Sequence, residues 1–321
     1  MKKYKTIAIL LMFSACMLKG WAQNSPITIV ETPVDARASG MGGFSLMSTD
    51  RNYLYLNPGT IFQGGTKLTV SANGVLFSKT EGSKGRLMNG MINAGWRFHD
   101  KHVVYVGARY QGGLIFTANK GQFDNHANDA LEVKPSEYTV DLGYTYHIAP
   151  KFSAFVTGSF IQIYTGRTAY AALFSVGGNF CTDLDLGKYA SKLNIAFRVA
   201  DFGSPIYYKR SESYTAPSKI ELTGDLGVDL CENHQLTFAL GGRYYFLLEE
   251  ARYLNANVGA EYQWRKQFFF RAGYQYSSEN NDLWSVGLGM NYQKAKIDLA
   301  FLKGFHTSFG NRLMATISWS F

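Results

Sequence analysis

From residue 67 to the end of the chain, apolar and polar side chains alternate with a period of two, the spacing of a β-strand with two different environments on its faces. Between residues 235 and 246, Leu236, Phe238, Leu240, Gly242, Tyr244 and Phe246 point one way. Gln235, Thr237, Ala239, Gly241, Arg243 and Tyr245 point the other. The same rhythm sets Leu254, Ala256, Val258, Ala260, Tyr262 and Trp264 against Asn255, Asn257, Gly259, Glu261 and Gln263. It recurs in Tyr138, Val140, Leu142, Tyr144 and Tyr146, and closes the chain as Leu313, Ala315, Ile317, Trp319 and Phe321.

A soluble sandwich also alternates, but it does not place Tyr and Trp at the ends of its apolar rows strand after strand. Aromatic girdles of that kind mark the two interfaces of a membrane. Composition agrees: 46% of residues are hydrophobic and 15% aromatic, only 17% are charged, and the mean hydropathy is −0.13. No apolar run beyond the N-terminus is long enough for a spanning helix. The fold expected is all-β, a 14-stranded antiparallel transmembrane β-barrel.

Fourteen segments carry the pattern: 67–77, 88–98, 101–112, 136–148, 151–163, 169–181, 191–201, 218–230, 234–247, 252–264, 267–277, 283–293, 295–303 and 312–321. Connections after even strands are tight, those after odd strands longer and more polar; 182–190 is the exception. Bacterial barrels have short periplasmic turns and longer outer loops, so both termini are expected in the periplasm. The final strand then pairs with the first and removes an edge that hydrocarbon does not tolerate. Trp319 and Phe321 on its lipid-facing row form an expected recognition signal for the barrel-assembly machinery.

Export is written at the start. Lys2, Lys3 and Lys5 precede an apolar stretch from Ile7 to Leu18 and a Gly20-Trp21-Ala22 cleavage site, so residues 1–22 read as a signal peptide. A lipoprotein signal at Cys16 is the weaker alternative, because Phe13 does not suit it. Removing the leader leaves 28 basic against 24 acidic residues, a charge of +4. With no basic run of five, nucleic acid is not an expected partner. The mature chain keeps Cys181 and Cys231, either a disulfide or two separate thiols.

No P-loop, HExxH or GxSxG motif is present, and Gly40-x-Gly42 lacks the third glycine and βαβ setting of a dinucleotide site. No enzyme activity, cofactor or metal is expected. His99 and His102 flank a turn at a chelating separation, but a solvated pair is the simpler reading. The inward rows carry charge of both signs: Arg97, Arg109, Arg198, Arg243, Arg271 and Arg312, with Asp141, Glu221, Asp225, Asp229, Glu261 and Asp298. Such charges must be paired or hydrated, so they form a salt-bridge network or a polar conduction path.

Residues 23–66 do not alternate and read as a hatch segment preceding the barrel of 67–321, entering from the periplasm and able to fold into the lumen. Within it, Ala36-Arg37-Ala38, then Gly40-Met41-Gly42-Gly43, then Asn57-Pro58 resembles the N-terminal signature of the PorV/PorQ family. That family lies in the wider group of barrels related to the fatty-acid channel FadL. The usual Asn-Pro-Ala is Asn-Pro-Gly here. The resemblance implies a barrel subunit in type IX secretion, partnered by other outer-membrane barrels or surface lipoproteins. A FadL-like uptake channel for a hydrophobic small molecule is the alternative, and it needs an apolar pocket beneath the outer loops and a movable hatch. Loop 113–135 with Phe116, Phe123 and Asp124, and loop 202–217 with Tyr207, Tyr208 and Tyr214, are the candidate partner surfaces. Arg37 is expected to pair with the acidic row Glu221, Asp225 and Asp229.

Overall fold

A computed structural model describes residues 27–79, 84–119, 130–187, 189–208, 213–246, 253–278, 280–305 and 311–321. The expected leader, Phe123 and Asp124 lie outside the described residues. Fourteen strands close a barrel: β1 Leu68–Phe77, β2 Lys84–His99, β3 His102–Asn119, β5 Ser136–Ala149, β6 Phe152–Tyr164, β7 Thr168–Leu186, β8 Tyr189–Gly203, β11 Lys219–Cys231, β12 His234–Tyr245, β13 Leu254–Trp264, β14 Phe268–Ser277, β15 Leu283–Tyr292, β16 Ala295–Gly304 and β17 Arg312–Ser320. Three short strands extend the connections: β4 Ala130–Val133, against the end of β3, and β9 Ile206–Tyr208 with β10 Ser213–Tyr214.

Every pairing in the wall is antiparallel. The last strand returns to the first in a register running from Thr69↔Ser320 to Phe77↔Arg312. The Lys67 and Leu68 amides donate to the Phe321 carbonyl, and the Phe321 amide donates to Leu68 O at 2.8 Å. No edge remains at the closure, as an apolar solvent requires.

The number of barrel strands is the one the alternation gives, but several strands are longer than the pattern. β2 begins at Lys84 rather than 88, β3 reaches Asn119 rather than 112, and β7 runs from Thr168 to Leu186. Beyond the bilayer both faces of a strand meet water, so hydrogen bonding continues after the hydrophobic contrast has stopped. The long connection expected at 182–190 is absent for this reason. β7 and β8 pair down to Leu186↔Tyr189, and Gly187 turns the chain at φ +74°. That turn is as tight as the others at the same end.

The molecule is apolar outside and polar inside. Leu240 is 65% exposed and Leu142 62%, whereas Glu221 is 1% and Ser71 0%. Aromatic residues ring both ends of the outer surface. Trp96, Tyr146, Trp264, Phe268, Tyr292, Trp319 and Phe321 lie at the end where the chain closes; Tyr110, Tyr138, Tyr164, Tyr170 and Tyr276 lie at the opposite, loop end. Replacing Leu240, at mid-strand on the outer row, with arginine should cost about 2–4 kcal/mol. Urea titration of folding into vesicles reads that cost.

The first described residues, 27–32, lie at the loop end, where Thr28 and the Ile29 amide bond Glu137 and Glu31 meets Lys219. The segment then descends through the lumen to the closing end, where Arg51 meets Ser320 and the Lys294 carbonyl. Within the described residues the hatch therefore runs from the end opposite Phe321 down to the closing end. One short helix, α1 Ala36–Gly40, and one 3-10 turn, Pro58–Gln63, are its only regular elements among the described residues. Asp35 caps the first through Ala38 N at 2.8 Å, and Asn57 caps the second through Gly59 N at 3.1 Å. Proline follows Asn57, where its missing N–H is harmless.

Candidate functional site: the occluded lumen

The hatch is keyed to the wall by glycines on both sides. Gly42 and Gly43 have φ of +109° and +76°, which disfavour any side chain. The backbone they bend lies against Gly259, Gly273 and Gly287 on β13, β14 and β15. A Cβ at Gly273 would stand 2.0 Å from the Met41 carbonyl carbon, and one at Gly259 would stand 2.0 Å from the Met41 carbonyl oxygen. Gly40 also lies against Gly287: its Cβ would be 2.9 Å from that Cα. Three adjacent strands thus present bare backbone where the hatch leans on them.

Charged and amide side chains of the wall then claim the hatch carbonyls. Asn257 donates to Gly42 O, Arg243 to Gly43 O at 2.7 Å, and Arg198 to Ser45 O at 2.8 Å. The acids are also engaged. Glu221 accepts from Arg198 and Ser45 Oγ; Asp225 accepts from Ser48 N at 3.0 Å, Ser48 Oγ and Asn194. Asp141 takes Arg109 at 2.9 Å and the Tyr55 hydroxyl at 2.7 Å.

Arg37 does not pair with Glu221, Asp225 or Asp229. Its guanidinium grips Glu261 through Nη2 at 2.8 Å and Nε at 3.0 Å, and donates to Ser48 O at 2.6 Å. Glu261 is shared with Arg271, whose Nη1 stands 2.7 Å from Asp298. The result is a buried chain Arg37–Glu261–Arg271–Asp298 linking the hatch to three strands. The acidic row does hold the hatch, but through the hydroxyls and amide of Ser45 and Ser48.

Two expected lumen charges lie elsewhere. Asp229 is exposed near the turn into β12 and accepts from Gln235 at 2.8 Å. Arg97 sits near the closing-end turn, over the Phe62 ring at 5.3 Å. Arg312 is buried beside Phe77. Cys181 and Cys231 are free thiols, so no disulfide joins them. Cys231 is exposed at the end of β11, while Cys181 is half-buried within β7. His99 and His102 face each other edge-on at 5.7 Å, and His102 is engaged by the Tyr144 hydroxyl at 2.7 Å. No metal-binding cluster occurs among the described residues.

Sequence reasoning missed both ends of the hatch anchorage. At the loop end Lys219, 3% exposed, bridges Glu31 at 2.6 Å and Asp201 at 2.7 Å. At the closing end Lys296 holds Asp50 at 3.2 Å. Sequence reasoning also missed the wall glycines at 259, 273 and 287, which stand fourteen residues apart in the sequence and on adjacent paired strands.

Between hatch and wall remains a cavity of about 80 Å3, lined by Tyr55, Arg109, Asp141, Arg198, Lys219 and Arg243 among others. It has room for a few waters. Close by, the inward rows turn apolar: Ile161, Ile163, Ala169, Ala171 and Leu173 form a buried cluster with Ile206 and Ala216. Ile27 and Ile29 of the hatch fill it.

No family model matches the sequence, and no curated protein is similar to it. Solved structures are similar in fold. The CymD monoaromatic hydrocarbon channel superposes with a TM-score of 0.56 at 12% identity, over 90% of this chain and 97% of that one. The Ralstonia pickettii toluene transporter TbuX gives 0.55 at 13% identity over 95% and 98%. The Pseudomonas putida toluene transporter TodX gives 0.52 at 12% over 94% and 98%. The chain shares the barrel fold of these channels and transporters. It is a closed antiparallel β-barrel of fourteen strands, and these structural neighbours are named as channels and transporters.

Proposed function

We propose that this FadL-like barrel is an uptake channel for a hydrophobic small molecule, with residues 27–66 as its hatch. One observation carries the reading. Beneath the loop end, Ile161, Ile163, Ala169, Ala171 and Leu173 line an apolar patch of the inner wall that the hatch covers with Ile27 and Ile29. Two isoleucines in a bed of inward apolar side chains occupy the place a small apolar solute would take once they withdraw. Proteins of like fold are described as toluene and monoaromatic hydrocarbon channels, which is the same class of solute. Passage requires the hatch to move, because the cavity of about 80 Å3 between it and the wall beside Tyr55 and Arg109 admits only water. In this reading the tight turns face the periplasm and the loop end faces outward.

Uptake of a radiolabelled monoaromatic by cells carrying the barrel in an outer membrane stripped of its own hydrocarbon channels tests this. Cells with the barrel should accumulate the solute faster than cells without it. The I161N/I163N variant should lower that rate roughly tenfold or more, since each buried apolar side chain is worth about 1.5–3 kcal/mol.

A second reading, a PorV/PorQ-like subunit of an export complex, draws on a different observation. Arg37, Gly40, Met41, Gly42, Gly43, Asn57 and Pro58 all serve the contact between hatch and wall, so the signature describes a permanently plugged scaffold as well as a gate. Equal uptake with and without the barrel, joined to stoichiometric co-purification with other barrels or surface lipoproteins, would decide for it.

A further inference from the structure

The turn from β13 to β14 is built at odds with its own chemistry. Arg265 and Lys266 are its central residues, with φ of +52° and +55°, and the Trp264 carbonyl accepts from Gln267 N at 3.1 Å. A two-residue hairpin with both central φ positive is the place for Asn-Gly, because residues with a Cβ are disfavoured there. Strain retained at a surface turn points to a use for the side chains.

The surroundings indicate which use. Both residues are exposed at the closing end, directly below the aromatic girdle. The Arg265 guanidinium lies 5.1 Å from the Trp264 ring centre. The neighbouring turn contributes Lys294, whose Nζ is 5.4 Å from the Phe321 ring centre, and it too carries a left-handed residue, Gln293 at φ +55°. Asn291 Nδ2 donates to the Lys266 carbonyl at 3.3 Å and ties the turns together. Tyr292 is 67% exposed beside them. Among the described residues, no carboxylate is paired with Arg265, Lys266 or Lys294. Three unpaired cations thus lie at headgroup depth over a floor of Trp264, Phe268, Tyr292 and Phe321.

We propose that the Arg265–Lys266 turn and Lys294 form a binding site for the phosphate headgroup of an anionic phospholipid in the leaflet at the closing end. Arg265 offers paired N–H donors to phosphate oxygens, and the two lysines add point charge. The aromatic rings pack against the glycerol and upper acyl region. The site does not depend on what the lumen carries.

Native mass spectrometry of the full-length barrel in neutral detergent, titrated with phosphatidylglycerol or phosphatidylcholine, tests the proposal. The wild-type chain should retain phosphatidylglycerol selectively. In R265N/K266G its affinity should fall roughly thirtyfold, the effect of about 1 kcal/mol for each basic residue lost. The same change relieves the turn, so unfolding in lipid-free detergent should occur at an equal or higher temperature. R265Q/K266Q, which keeps the backbone demand and removes the charge, should lose the lipid equally, and K294Q should lose it in part. Equal binding of the two lipids by wild type, or undiminished phosphatidylglycerol binding in R265Q/K266Q, would overturn the proposal.

Discussion

Gly273→Val should expel the hatch while leaving the cylinder standing. The new Cβ would fall 2.0 Å from the Met41 carbonyl carbon, and backbone atoms cannot swing aside as a side chain does. Added methylenes in a packed core typically cost about 1–3 kcal/mol; a collision with main chain exceeds that range unless the hatch leaves. The wall itself loses nothing, because Gly273 keeps its ladder opposite Gly259 and Ser285 and valine favours strands. Limited trypsin digestion reads the outcome. In the intact protein the Arg37 and Arg51 side chains are only 12% and 15% exposed, so the hatch resists. The variant should be cut there, leaving a heat-modifiable barrel fragment. A variant as resistant as wild type would show that the glycine contacts do not seat the hatch.

The second large effect concerns Arg37. Arg37→Glu places a carboxylate against Glu261, leaving Ser48 O without its donor and Arg271 to serve two acids besides Asp298. An uncompensated buried charge costs about 3–5 kcal/mol. The control is Arg37→Met, of similar length and no charge. It leaves Glu261 paired with Arg271 but removes the Arg37 bonds to Glu261 and to Ser48 O, a loss of about 1–3 kcal/mol for each group left without its donor. The unboiled, folded band should therefore disappear at distinctly lower temperature for glutamate than for methionine. If both variants melt together, the ion network does not hold the hatch and the glycine contacts act alone.

What was legible in the sequence follows from where two solvents meet. Strand rows 236–246 and 254–264 could be read because lipid lies on one side and polar lumen on the other. The ends of β3 and β7 could not, since above and below the bilayer the contrast vanishes. Parity told which way Asp229 and Glu261 point, but not their height in the barrel. Height is set by register: Glu261 stands opposite Arg271, and Glu221 opposite Arg198, so these acids find arginines at mid-wall while Asp229 ends near a turn. The path of residues 27–66 leaves no periodic trace, because a segment with wall on every side has no single apolar face. Its glycines at 40, 42 and 43 announced close approach, and their partners at 259, 273 and 287 became recognisable only once the strands were laid side by side.

Ion conductance across a planar lipid bilayer tests the central account most directly, comparing the purified protein with a variant lacking residues 27–66. A cylinder sealed by its own N-terminal segment should insert and carry almost no current, and its truncated form should open steps of fixed size. Equal currents from the two proteins, or failure of either to enter lipid at all, would contradict it.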